Sequence, residues 1–256
     1  VDEKLKNEYM DELLVLSEVT GGNKVGGDGC LRQQHPNIVR FLGACMTPPN
    51  LFFVMELCDG SLFDLLHNHR FQYSEKQKVK MAMEVANAMN FLHTREPAII
   101  HRDLKSLNLL MGQDGQLKLC DFGLVRTKNT TAGTPCYMAP ELLNNRPFSR
   151  KVDVYAYGVL LSELFTGEIP FRGCDPQEII SLVSRGQRPS VPTYDCPHPI
   201  RKMMQDCWHR DPGRRPEFSE ILEILNFEYD AIPERTHSEI ASDYGGDALD
   251  GLMGLK

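Results

Sequence analysis

His101-Arg102-Asp103-Leu104-Lys105-Ser106-Leu107-Asn108, followed 13 residues after Asn108 by Asp121-Phe122-Gly123, decides how this chain is read. The two stretches bring a carboxylate, an ammonium, an amide and a second carboxylate to spacings that suit a nucleoside triphosphate and magnesium beside an acceptor hydroxyl. Moving a phosphoryl group asks a protein for little covalent chemistry. It asks for aligned oxygens and for neutralised charge. Asp103 can orient a hydroxyl and take its proton. Lys105, two residues on, lies on the same side of an extended loop and can reach the transferred phosphate. Asn108 offers magnesium a neutral oxygen and Asp121 a charged one. That matches an ion that takes a few protein oxygens and completes its shell with water and phosphate.

Outward from this core, composition narrows the class. The chain has 256 residues, 41% hydrophobic and 25% charged, enough for a packed core in one large or two small domains. Of the net charge of −7, the stretch after Phe227 carries −5 from seven acidic and two basic residues. The rest is nearly neutral, which argues against a nucleic-acid partner. Eight cysteines without a C-x-x-C pair speak against a zinc site and against a secreted disulfide framework. Reduced thiols in the cytoplasm or nucleus are the simpler expectation. No apolar run is long enough for membrane insertion, and no signal peptide is expected from the polar N-terminus.

The periodicity predicts an amphipathic helix over residues 1–19, with Leu5, Tyr9, Leu13 and Leu16 at helical spacing. Residues 20–34 carry five glycines and no periodicity. Strands are expected at Val39–Cys45 and Leu51–Glu56, and a short helix at Ser61–Asn68. Ser74 is expected to cap a long helix reaching about Thr94. Leu109–Met111 and Leu117–Cys120 read as a hairpin around Asp114-Gly115, and residues 124–138 as a polar loop. Val152–Phe165 reads as a helix buried on all sides, with further helices at Pro176–Arg185, Ile200–Trp208 and Phe218–Phe227. The acidic, Gly-containing residues 228–256 are expected to be a disordered tail.

The loop pattern H-R-D-L-x-x-x-N, the D-F-G and Ala139-Pro140-Glu141, in that order, resemble the protein kinase family. The resemblance runs to about residue 226. It implies an α+β, bilobal, protein-kinase-like fold. Residues 1–58 would be a truncated, β-containing N-lobe with an irregular Gly-rich insertion at 20–34, and residues 59–227 a complete, mostly α-helical C-lobe. By resemblance Met55 takes the gatekeeper position, the Glu56 and Cys58 backbones meet adenine, and Leu110 forms the floor under the ring. Glu12 matches the N-lobe helix glutamate. Glu141 looks like the partner of Arg215, and Asp153 like the helix-start acid that holds the catalytic loop. Leu16, Phe41, His101 and Phe122 match a stacked apolar column between lobes, which makes His101 a packed residue and not a base. Lys105 and Gly133-Thr134-Pro135 are similar to serine/threonine kinases, with Thr134 lining the acceptor pocket and contacting Asp103. Asn37-Ile38-Val39, Phe41-Leu42-Gly43-Ala44 and Cys207-Trp208 resemble the tyrosine-kinase-like group, which includes Raf-like and mixed-lineage kinases. Arg102 beside the catalytic acid implies control by loop phosphorylation, with Thr127, Thr130 and Thr131 as candidate sites.

The implied activity is transfer of the γ-phosphate of ATP, with Mg²⁺, to protein substrates in intracellular signalling. The chain departs from the family at its start. Ahead of Glu12 nothing supplies a Gly-rich phosphate loop or the strand lysine, and Lys4 is expected within the same helix as Glu12. Gly21–Gly29 contains a lysine and glycines, but it follows the helix and lacks the strand–turn–strand frame of a phosphate cradle. Weak nucleotide affinity is therefore expected of this chain. The alternative is a catalytically impaired, pseudokinase-like scaffold that binds partners through its C-lobe.

Overall fold

The computed structural model describes residues 3–20, 34–45, 47, 50–125 and 133–233. The Gly-rich stretch 21–33, residues 126–132 with Thr127, Thr130 and Thr131, and the tail from 234 lie outside the described residues.

Helix α1, Glu3–Val19, contains Lys4 and turns Val15, Leu16 and Val19 into the core. Strands β1 (Phe41–Cys45) and β2 (Phe52–Met55) pair antiparallel, with Phe41 opposite Met55 and Cys45 opposite Phe52. A second sheet holds β3 (Cys58–Ser61), β4 (Leu109–Gly112) and β5 (Leu117–Leu119) in that order, all antiparallel. Cys58, read from the sequence as the end of the first part, opens β3 and pairs with Gly112. Backbone bonds from Val39 N–H to Leu119 O and from Leu119 N–H to Asn37 O, both 2.9 Å, tie the chain before β1 to β5. The β4–β5 turn closes as the sequence suggests, with Gly115 at φ 72° and its N–H on Gly112 O. That left-handed backbone favours glycine.

The helical part is built on α2 (Glu75–His93) and α4 (Lys151–Thr166). Ser74 caps α2 through a full capping box with Gln77, satisfying two otherwise orphaned N–H groups. Every residue from Val152 to Phe165 is buried, so α4 is the central post of this part. Gly158 lets α6 (His198–Cys207) approach it closely; a Cβ there would stand 2.9 Å from Cys207 Cβ and 3.1 Å from Met204 O. Short helices α3 (Pro140–Leu143) and α5 (Pro176–Ser184) pack on each other, and α7 (Phe218–Ala231) packs along α2. No helix among the described residues is long and apolar enough to cross a membrane.

Two elements differ from expectation. The segment after Ser61 winds as a wide π turn, Asp64–Asn68, because Ser61 Oγ binds both the Asp64 carboxylate (2.6 Å) and its N–H (3.1 Å). Helix α7 runs to Ala231, four residues past the expected end. Glu228 is buried there, and Tyr229 lies under the Lys76 ammonium at 4.9 Å, so tertiary contacts outweigh the acidic composition.

Candidate active site

The buried helix α4 sets the geometry. Asp153, in its first turn, has no solvent exposure. Its Oδ2 accepts the His101 N–H (2.9 Å) and faces His93 Nε2 (2.8 Å), and its Oδ1 accepts the Arg102 N–H (2.8 Å). Arg102 has φ 70°, a left-handed conformation that a residue of its size adopts only under constraint. Asp153 supplies the constraint. Burial pushes its carboxyl up, but the His93 hydrogen bond, the imidazole charges and the Arg102 N–H outweigh that and hold it below the usual carboxylate range.

The loop so held places its side chains together. Asp103 Oδ2 lies 2.6 Å from Lys105 Nζ and accepts Asn108 Nδ2 at 3.0 Å. Asn108 Nδ2 also donates to Asp103 O at 2.8 Å, so Oδ1 is the Asn108 atom left to face a cation. Lys105 Nζ reaches Thr134 Oγ1 at 3.1 Å. Lys105 therefore stands between Thr134 and Asp103, where the sequence suggested that these two touch directly. Cys120 N–H binds Asn108 O at 2.9 Å, which brings the Asp121-Phe122-Gly123 turn beside the loop. Asp121 is exposed at φ 61°, its Oδ1 capping the Gly123 N–H at 3.1 Å. Asn108 Oδ1 and the Asp121 carboxylate fit the oxygen donors that Mg²⁺ takes from protein. Among the described residues no cluster of three or more His, Cys, Asp or Glu side chains could hold a metal by itself.

His101 is fully buried, its ring edge-on to Phe122 at 5.3 Å. Its Nδ1 accepts the Asp103 N–H at 3.3 Å and its Nε2 lies 3.2 Å from Cys120 O. Both ring nitrogens are thus engaged by backbone. Met55 ends β2, and Glu56 follows with its N–H on Arg40 O (2.9 Å) and its carbonyl accepting the Cys58 thiol at 4.0 Å. Leu110 lies on β4, two residues after Asn108, opposite Ser61 and Lys118. Two cavities of about 290 and 360 Å³ run along Arg40, Glu56 and Lys118; neither is lined by Asp103, Asn108 or Asp121.

Glu12 reaches the same turn. A Cβ on Gly123 would sit 3.9 Å from Glu12 Oε2 and 3.3 Å from Asp121 Oδ1. Burial, and then the Asp121 charge, push the Glu12 carboxyl up. A raised folded pKa means the protonated form favours the fold. That stability is present below the unfolded value and lost as pH rises through the folded one. Glu12→Gln is therefore expected to be more stable than the parent at pH 7, by under about 1 kcal/mol after solvent screening. The difference should close toward pH 4 in thermal melts; a variant less stable at pH 7 would contradict it.

Farther out, Arg215 and Glu141 form a buried two-bond pair at 2.6 and 2.9 Å between α3 and the turn before α7. Sequence reading passed over His93, which completes the Asp153 site, and a buried cluster of His67, Ser106, Tyr137 and Glu163. One signal was available for the cluster: Glu163 lies inside the nearly all-apolar stretch Val152–Phe165, and a carboxylate in such a helix needs partners.

The chain is similar in sequence to known proteins. A family model described as protein tyrosine and serine/threonine kinase matches residues 30–225. A probable serine/threonine-protein kinase of Dictyostelium discoideum is 39% identical over 234 residues, covering 88% of this chain and 24% of that protein. The serine/threonine-protein kinase STY17 of Arabidopsis thaliana is 39% identical over 201 residues, covering 75% of this chain and 35% of that protein. The serine/threonine-protein kinase CTR1 of the same plant is 41% identical over 221 residues, covering 82% and 27% respectively. The chain thus spans about a quarter to a third of the length of these relatives.

Proposed function

The chain belongs to the protein tyrosine and serine/threonine kinase family, and from that premise we propose that it transfers the γ-phosphate of ATP to serine or threonine hydroxyls of protein substrates in cytoplasmic signalling. The observation that carries the reading is the Lys105 ammonium bridging Asp103 and Thr134. It brings a proton acceptor, a cation for the moving phosphate and a residue of the acceptor side within one small space. Asp103 takes the hydroxyl proton. Lys105 steadies charge on the transferred group. Asn108 and Asp121 hold Mg²⁺, which supplies neutralising charge to the phosphates when bound. Met55, the Glu56 carbonyl, the Cys58 backbone and Leu110 line the adenine side. Asp153, Glu141 and Arg215 keep the loop and its surroundings in place. Thr127, Thr130 and Thr131 are the proposed phosphosites of the loop after Asp121.

A second reading has its own observation. Glu12 faces Asp121, and no cation is paired with it among the described residues. Two carboxylates at the phosphate side weaken nucleotide binding, which favours an impaired enzyme or a scaffold that binds partners through its helical part. Incubation with Mg²⁺ and γ-labelled ATP plus a generic protein acceptor separates the two. Slow labelling confined to phosphoserine and phosphothreonine is expected, together with a small thermal shift from Mg-ATP. No label and no shift would favour the scaffold; phosphotyrosine would overturn the acceptor class.

A further inference from the structure

Glu163 lies near the end of α4 with no exposed surface, and it is a meeting point of four elements. Its Oε1 accepts Ser106 Oγ at 2.8 Å and faces His67 Nε2 at 2.8 Å. Its Oε2 accepts Tyr137 Oη at 2.5 Å, and the Ser106 and Tyr137 hydroxyls are 3.3 Å apart. Ser106 follows Lys105 directly. Tyr137 closes the 3₁₀ turn Pro135–Tyr137, which begins just after Thr134. The loop with Asp103 and the segment with Thr134 are thus joined twice: openly through Lys105 Nζ, and in the interior through Glu163.

A carboxylate taken wholly out of water needs a charged or multiply donating partner. Ser106 and Tyr137 bring hydroxyls only; burial and the Glu163 charge push the Tyr137 hydroxyl well above its usual range. His67 is the member of the cluster that can carry positive charge. Its side chain is 9% exposed, and its ring rests on Phe63 at 4.7 Å. It comes from the π turn Asp64–Asn68, 96 positions from Glu163 and outside the loop motifs.

We propose that His67 is a positioning residue for the acceptor side: by donating from Nε2 to Glu163 it keeps Ser106 and Tyr137 on one carboxylate and so fixes Lys105 against Thr134. The acceptor-side role rests on the transfer reading above, whereas the holding role does not. Without the donor, Glu163 is left with fewer partners than a buried charge requires. It then turns toward the vacated edge, which loosens the Ser106 and Tyr137 bonds.

Hydrogen–deuterium exchange on the chain tests the holding role without any need for turnover. In His67→Phe, which keeps the ring but not the donor, amides of 105–108 and 134–138 should exchange about 10-fold faster, the loss of one hydrogen bond to a charged group. Amides of α2 and α7 should be unchanged. His67→Gln, which restores an N–H donor, should return the parent pattern. In transfer assays His67→Phe should raise KM for the protein acceptor several-fold and leave KM for ATP unchanged. If His67→Phe does not fold, His67→Asn, whose amide is too short to reach Glu163, carries the same expectation. Parent-like exchange in 105–108 and 134–138, or failure of His67→Gln to rescue, would overturn the proposal. A parent chain that transfers no phosphate would refute the transfer reading, and exchange would still decide whether His67 holds these segments.

Discussion

Asp103→Asn should cut phosphoryl transfer about 10²–10⁴-fold, to background for a slow enzyme, and leave the fold intact. The substitution keeps the shape of a side chain that receives Lys105 Nζ at 2.6 Å and Asn108 Nδ2 at 3.0 Å. An amide oxygen can still accept both. What is lost is the charge and the capacity to take a proton from an acceptor hydroxyl. The loop itself hangs from Asp153, whose bonds to the His101 and Arg102 backbone do not involve the Asp103 side chain. Melting temperature should therefore move by little while labelled phosphate in the acceptor disappears. Mg-ATP affinity should survive as well, since Asn108 and Asp121 are untouched. Transfer that persists at the parent rate would remove Asp103 from the mechanism. On the scaffold reading, the variant would bind partners as the parent does.

How much of this is legible in the sequence depends on whether a feature is local. The Ser74 cap, the Asp114-Gly115 turn and the apolar run of α4 are short-range patterns, and each appears where the sequence puts it. The Asp103, Lys105 and Asn108 group is also local, held within one loop. The three relatives described above, each named a serine/threonine-protein kinase, agree with a tyrosine-kinase-like assignment made from short motifs around residues 37–44 and 207–208. What escaped is long-range. His67 and Glu163 are 96 positions apart, and no periodicity couples them. The end of α7 escaped because contacts to α2 outweigh an acidic composition. The facing of Glu12 and Asp121 was illegible for another reason. The sequence marks both as acids with roles, and only packing shows that they confront each other without a described cation between them.

Replacing Arg215 by Met should destabilise the chain by about 3–5 kcal/mol, the largest stability effect expected here. Arg215 is about 1% exposed, and its guanidinium makes four hydrogen bonds. Nη1 and Nη2 meet the two Glu141 oxygens at 2.6 and 2.9 Å, Nε binds His209 O at 2.9 Å, and Nη1 also binds Lys151 O at 2.9 Å. The Tyr155 ring lies 5.2 Å from its carbon centre. Methionine fills part of the volume but leaves a mostly buried carboxylate and the His209 carbonyl without their donor. At roughly 2–4 °C per kcal/mol for a domain of this size, the melting temperature should fall by about 10 °C. Arg215→Lys should fare little better, since an ammonium cannot reproduce the two-bond fork. Adding Glu141→Leu to Arg215→Met should recover part of the loss, because it removes the stranded charge but not the orphaned His209 carbonyl. The exposed pair of Arg150 and Glu217, also joined by two bonds but at 3.1 and 3.2 Å, is the control: Arg150→Ala should cost no more than about 1 kcal/mol. Equal losses at the two sites would mean that burial does not set the strength of the Arg215 anchor.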